Sequence, residues 1–290
     1  MRGTAPSTLA PVAPLRSEMM DIRERTIETD RGRVAYLEAG AGWPVILIHA
    51  FPLAAAMWRP QLERVPAGSW LIAPDLRGFG RSPLSARGTS AVTIDDYAAD
   101  VGALMDALEI ESATIGGLSM GGYVTLAMHR QSPERFTGML LADTKSEADT
   151  PQGREGRVRA REILAAGGPR AVADEMLPKL LAGIAREDTP DAPAQVRAII
   201  EGNSPDAMDA AIGALMDRPD ATPGLAAILC ATFVVVGEHD GITPLADAES
   251  MQHAIERSTL TVIPRAGHLS SIDQPAAFSK ALDDFVRSHL

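Results

Sequence analysis

A single cysteine, Cys230, occurs in 290 residues, so no disulfide framework can form, and no Cys/His pairs stand at zinc-ligand spacing. Cations are in the minority. The 27 Lys and Arg against 38 Asp and Glu leave a formal charge of −11, which argues against an extended nucleic-acid surface while still allowing a local basic pocket. No apolar run approaches the ~18 residues that would suggest a bilayer crossing. Pro6, Pro11 and Pro14 break up the first twenty residues, so no secretory signal is expected and the cytoplasm is the expected address. Residues 1–20 read as a loose tail, with Met1, Met19 or Met20 as the start. No sequence period repeats, which excludes a solenoid. With 46% hydrophobic and 22% charged residues, wholesale disorder is excluded too. An enzyme or a small-ligand binder is left.

After the tail, short apolar runs alternate with helical patterns. Ile22–Thr29 and Arg33–Glu38 read as two strands around the turn Asp30-Arg31-Gly32. Val45-Ile46-Leu47-Ile48 is a continuous apolar run of the kind expected in a strand buried on both faces. Similar runs lie at 70–73, 113–115, 139–141, 232–236 and 259–263. Helices are expected over 94–109, with Thr93 as N-cap, over 120–130 and over 275–289. The alternation implies right-handed crossovers and a mainly parallel sheet covered on both faces, an α/β class. From about Lys145 to Ala227 there are helical patterns but no convincing strand. Residues 145–227 are therefore expected to form a helical lid inserted in a catalytic domain made of 21–144 and 228–290. Gly167-Gly168-Pro169 and Ser204-Pro205 punctuate it.

The chemistry centres on Gly117-Leu118-Ser119-Met120-Gly121, which follows one predicted strand and opens a helix, the context of a nucleophile elbow. A serine hydroxyl needs a positioned base, and His268 is the best placed, in a loop between the last strand and the last helix. That imidazole needs a carboxylate to hold its tautomer, and Asp240 lies just beyond the strand 232–236. Three separate strand-end loops would then deliver Ser119, Asp240 and His268, in that chain order. Asp143 at another strand end and Glu238 are rival carboxylates, and His239 neighbours the acid. His129, His253 and His289 fall in helical stretches and read as structural or solvated. The amide of Met120 supplies one oxyanion donor, and Phe51 in His49-Ala50-Phe51-Pro52 can supply the second, since Pro52 has no N–H. His49 reads as a residue that fixes its loop. Phe51 and Trp58 are candidate substrate-lining residues, although packing of its own helix explains Trp58 equally well.

These segments resemble the α/β-hydrolase superfamily, in the branch of 3-oxoadipate enol-lactonases, small carboxylesterases and cofactor-free haloperoxidases. The matching stretches are HAFPL at 49–53, APDLRGFGRS at 73–82, GGLSMGGY at 116–123, GEHDGITP at 237–244 and AGHLS at 266–270. The resemblance implies Ser119, Asp240 and His268 as catalytic triad, Phe51 and Met120 as oxyanion amides, and a structural turn over Asp75–Ser82. Serine at the elbow implies acyl transfer through an ester intermediate, with no metal or organic cofactor. Ala50 departs from the glycine usual after the histidine, which puts the loop geometry of the second donor in question.

The expected partner is a small-molecule ester or lactone, with neither nucleic acid nor membrane. Hydrolysis of an enol-lactone would need a cation for the substrate carboxylate. Lys145, Arg154, Arg157, Arg159 and Arg161 offer candidates, although such a run is commonly a solvated helix face. Perhydrolysis would use the same triad. A reading of another class is a non-catalytic ligand receptor on the same scaffold.

Overall fold

The computed structural model describes residues 21–84, 92–183 and 187–289. The tail expected over residues 1–20 lies outside them. Eight strands form one sheet: β1 (Arg23–Thr29), β2 (Gly32–Gly40), β3 (Trp43–Ile48), β4 (Ser69–Pro74), β5 (Ala113–Leu118), β6 (Phe136–Ala142), β7 (Ala231–Gly237) and β8 (Ser258–Ile263). Their order across the sheet is β1-β2-β4-β3-β5-β6-β7-β8. β2 runs antiparallel to both β1 and β4, and every pairing from β4 to β8 is parallel. Residues 45–48 of β3 have no solvent exposure. That burial on both faces is why this strand carries an unbroken apolar run instead of an alternating one.

The helices are α1 (Arg59–Leu62), α2 (Ile94–Ala107), α3 (Met120–Gln131), α4 (Pro151–Leu180), α5 (Ala192–Glu201), α6 (Pro205–Met216), α7 (Leu245–Ala254), α8 (Ser270–Asp273) and α9 (Pro275–His289). Thr93 caps α2 through a reciprocal box with Asp96. The break expected at Gly167-Gly168-Pro169 is present: α4 consists of two helical segments that meet across a kink at Gly168 (φ +65°, ψ −163°), which is not helical. A glycine at positive φ ends the first segment, and Pro169 stands at the start of the second, where its missing N–H leaves no helical bond unmade. α4, α5 and α6 all lie between β6 and β7, and α4 packs on both of the others.

The parallel register decides where the site lies. Ile48 of β3 pairs with Gly117 of β5, Gly117 with Leu141 of β6, Ala142 with Val235 of β7, and Gly237 with Ile263 of β8. The carboxyl ends of five adjacent strands thus share one edge, and the loops that leave them emerge side by side, where open α/β sheets hold ligands.

Candidate active site

Ser119 sits between β5 and α3 at φ +55°, ψ −110°, a conformation rarely open to a residue with a Cβ. Its backbone is held on both sides. The Ser119 N–H donates to the Ala142 carbonyl (2.9 Å), and the Thr144 hydroxyl donates to the Ser119 carbonyl (2.8 Å). The turn needs small neighbours. A Cβ on Gly121 would stand 2.2 Å from the Ile48 carbonyl oxygen, and one on Gly117 would stand 2.7 Å from the same atom. Gly121 therefore lets the first turn of α3 press against the end of β3. Gly121→Ala is expected to cost about 1–3 kcal/mol as an overpacked contact. A denaturant midpoint equal to that of the unaltered chain would contradict the close approach.

His268 and Asp240 come together. The His268 Nδ1 lies 2.8 Å from Asp240 Oδ2, and both side chains are almost fully buried. The other Asp240 oxygen accepts the amides of Ile242 (2.8 Å) and Thr243 (3.0 Å), and the Thr243 hydroxyl donates to Oδ2 (2.7 Å). Burial opposes ionisation of Asp240 and is the largest single influence. The bond and charge of His268, with the donors of Thr243, outweigh it, so the carboxyl is held below the usual carboxylate range. With this ionised acceptor on Nδ1, the imidazole carries its proton there and leaves Nε2 as the basic atom. Among the described residues the Ser119 hydroxyl makes no hydrogen bond to His268. In sites of this kind that contact often tightens only when substrate is bound.

The rival carboxylates are occupied elsewhere. Asp143, fully buried at the end of β6, accepts the Gly237 amide (2.7 Å) on one oxygen and makes a short bond with the Ser270 hydroxyl on the other. Burial, reinforced by the nearby Asp240 charge, pushes its carboxyl well above the ordinary range. Glu238 accepts the Arg265 amide (2.8 Å), and the His239 ring lies beside Glu238, half exposed. His129 packs edge-on to Phe136, His253 bonds the Glu249 carbonyl, and His289 bridges Phe285 and Thr114.

The amide of Met120, the first in α3, has no acceptor within the helix. Phe51 lies in the turn after β3. There His49 is buried and neutral, its Nδ1 bonded to the Ala50 carbonyl (3.0 Å) and its Nε2 accepting the Leu76 amide (3.0 Å). Burial holds this imidazole below its ordinary pKa. Ala50 does not adopt a left-handed conformation, so the methyl group it has in place of glycine is accommodated. Its amide points to Met57 Sδ (3.2 Å). The Asp75 carboxylate then receives the Ala55 and Arg81 amides, tying the 49–58 stretch to the Asp75–Ser82 turn.

One expectation is corrected. Trp58 has no exposed surface and packs at a tilt against Phe278 of α9, with ring centroids 5.8 Å apart. It is a core residue with no surface to offer a substrate. Phe51 keeps 6% exposure and stands edge-on to Phe79.

The basic run of the insertion is mostly neutralised. Arg154 pairs with Asp217, Arg157 with Asp149 and Arg161 with Asp209. Among the described residues, Lys145 and Arg159 have no ion pair. Asp149 takes a second cation, the buried Arg218, whose guanidinium lies 4.3 Å from the centre of the Tyr123 ring in α3. Four side chains with contacts at the site escaped the sequence reading: Thr144, Thr243, Asn203 and Asp273. Only Thr243, three residues after the acid in a Gly/Pro-flanked turn, carries a local signal.

Residues 44–275 match the family model described as the alpha/beta hydrolase fold. The curated 3-oxoadipate enol-lactonase 1 of Acinetobacter baylyi is 30% identical over 240 residues, which cover 80% of this chain and 84% of the relative. A malate-bound thermophilic esterase from Thermogutta terrifontis superposes with a TM-score of 0.86 at 35% identity, covering 92% of this chain and 100% of that one. An enol-lactonase from Burkholderia xenovorans LB400 gives 0.82 at 25% identity, over 91% and 100% of the two chains. A match over most of the chain, with both the elbow and the mainly parallel sheet in place, makes this protein a member of the alpha/beta hydrolase fold family.

Proposed function

We propose that the protein is a serine hydrolase of small carboxylic esters or lactones that works through an acyl-enzyme on Ser119. The observation that carries this reading is the buried His268–Asp240 pair at 2.8 Å, delivered to the same sheet edge as a serine held in the left-handed region at a helix start. His268 Nε2 takes the Ser119 proton as Oγ bonds to the substrate carbonyl carbon. The amides of Met120 and Phe51 hold the resulting oxyanion. The imidazolium returns the proton to the departing alkoxide and the C–O bond breaks. Water, deprotonated by the same imidazole, then attacks the acyl carbon; the C–Oγ bond breaks, the imidazolium returns the proton to Ser119 Oγ, and the acid is released.

The activities of the relatives, an enol-lactonase and an esterase, support this class. Three of the five cations considered for a substrate carboxylate are already paired with aspartates, which favours neutral esters over an anionic lactone. The test is hydrolysis of p-nitrophenyl acetate by the purified protein. The expected result is an initial burst approaching one nitrophenolate per chain, together with stoichiometric fluorophosphonate labelling of the Ser119 peptide. Absence of turnover on a panel of short esters and lactones would overturn the reading and favour a ligand receptor.

A further inference from the structure

The helical insertion is fastened to the site at two places, each next to a residue assigned a role above. The first is Asn203, buried between α5 and α6. Its side-chain amide donates to the Pro52 carbonyl (2.9 Å), and its Oδ1 accepts the Gly80 amide (2.8 Å). Pro52 directly follows Phe51. Gly80 in turn wraps the Asp75 carboxylate that secures Ala55, with room for no Cβ, since one would lie 2.3 Å from that carboxylate. A single amide from the insertion therefore holds both turns that shape the Phe51 loop.

The second place is where α4 ends against the His268 loop. One oxygen of the buried Asp273 accepts the amides of Gly267 (2.7 Å) and Ala182 (2.9 Å). The Leu269 amide donates to the Leu180 carbonyl (2.9 Å). Both neighbours of His268 are thus tied to the end of α4, and Gly267 has no room for a Cβ, which would stand 2.7 Å from the Ala182 nitrogen. Arg218 of the same insertion also rests on Tyr123 in the helix that Ser119 opens.

We infer that Asn203 and Asp273 are positioning residues, through which the docked insertion sets the geometry of the oxyanion loop and the histidine loop. The insertion is then part of the catalytic frame as well as a wall for substrate. Misplacement of a reacting group by about 1 Å costs up to ~10²-fold in rate. An effect of this origin falls on kcat and does not depend on how far the substrate reaches.

This inference rests on the serine-hydrolase reading, and its test is arranged to separate the two. Asn203→Ala and Asp273→Ala are assayed with p-nitrophenyl acetate and with a long-chain p-nitrophenyl ester. Each is expected to lower kcat about 10–10²-fold on both substrates, with KM for the acetate little changed. Asp273→Asn keeps a carbonyl oxygen for the two amides and is expected to restore most of kcat. Hydrogen exchange is expected to rise over residues 50–55 in the Asn203 variant and over 264–270 in the Asp273 variant. Should Asn203→Ala fail to fold, Asn203→Ser carries the same test. Unaltered kcat on the acetate, with losses confined to the long ester, would overturn the inference and leave the insertion as a substrate wall. Loss of kcat in Asp273→Asn equal to that in Asp273→Ala would also overturn it. If Ser119→Ala keeps full turnover, the hydrolase reading itself fails, whatever these variants do.

Discussion

Ser119→Ala is expected to lower ester turnover about 10⁴–10⁶-fold, the scale seen when a triad nucleophile is removed. The alanine keeps a Cβ at φ +55°, so the backbone strain of the turn persists, and the amide bond to Ala142 and the carbonyl bond from Thr144 do not involve the lost hydroxyl. Fold and thermal midpoint should therefore be close to those of the unaltered chain. Only the nucleophile is missing, and the oxyanion amides retain a residual acceleration over water. Active-site titration alongside the rate guards against contamination by unaltered enzyme. Turnover equal to that of the parent would show that Ser119 is not the nucleophile.

Asp240→Asn should cost about 10⁴-fold in kcat, because an amide places an N–H donor where His268 needs an acceptor and so favours the wrong tautomer. Asp143→Asn should cost far less. Burial first, and the Asp240 charge second, oppose ionisation of the Asp143 carboxyl and raise its pKa, so an uncharged amide at this position is expected to be tolerated. Its carbonyl oxygen can still accept the Gly237 amide, and the Ser270 hydroxyl, which donates to the carboxylate, need only rotate to accept from the new NH2 group. Linkage gives this comparison an independent measure. A carboxyl whose folded pKa is raised contributes stability that is full below its unfolded value, near 3.9, and is lost as pH rises through the folded pKa. Asp143→Asn, which lacks this titration, should gain on the parent as pH rises across that window, read as a shift in denaturant midpoint. A larger loss of turnover at position 143 than at 240 would move the catalytic acid to the end of β6.

Much of the fold could be read from local pattern. Val45–Ile48 and Phe233–Val236 announce themselves because strands buried on both faces carry unbroken apolar runs. The Gly-x-Ser-x-Gly turn shows because two glycines are needed where α3 meets β3 and β5. α5 does not, since Pro190 and Pro193 obscure its start and its buried face is marked only by Ala192, Val196 and Ile200. The break at Gly168 is legible because glycine and proline side by side mark the end of one helical segment and the start of the next. Asn203 and Asp273 were illegible for a different reason. Their partners, Pro52 and Ala182, lie 151 and 91 residues away along the chain, and no local periodicity encodes a hydrogen bond between loops. Trp58 was ambiguous until its neighbour Phe278, from the last helix, was known.

β6 and β7 are hydrogen-bonded neighbours, with Leu141 opposite Val234, although three helices separate them in sequence. The ladder is therefore blind to how much chain is looped out between them. Such an arrangement lets the excursion lengthen, shorten or change its inward-facing side chains without a cost in strand pairing. Diversification of the substrates accepted by such a scaffold can then proceed in one stretch of chain while the sheet stays as it is.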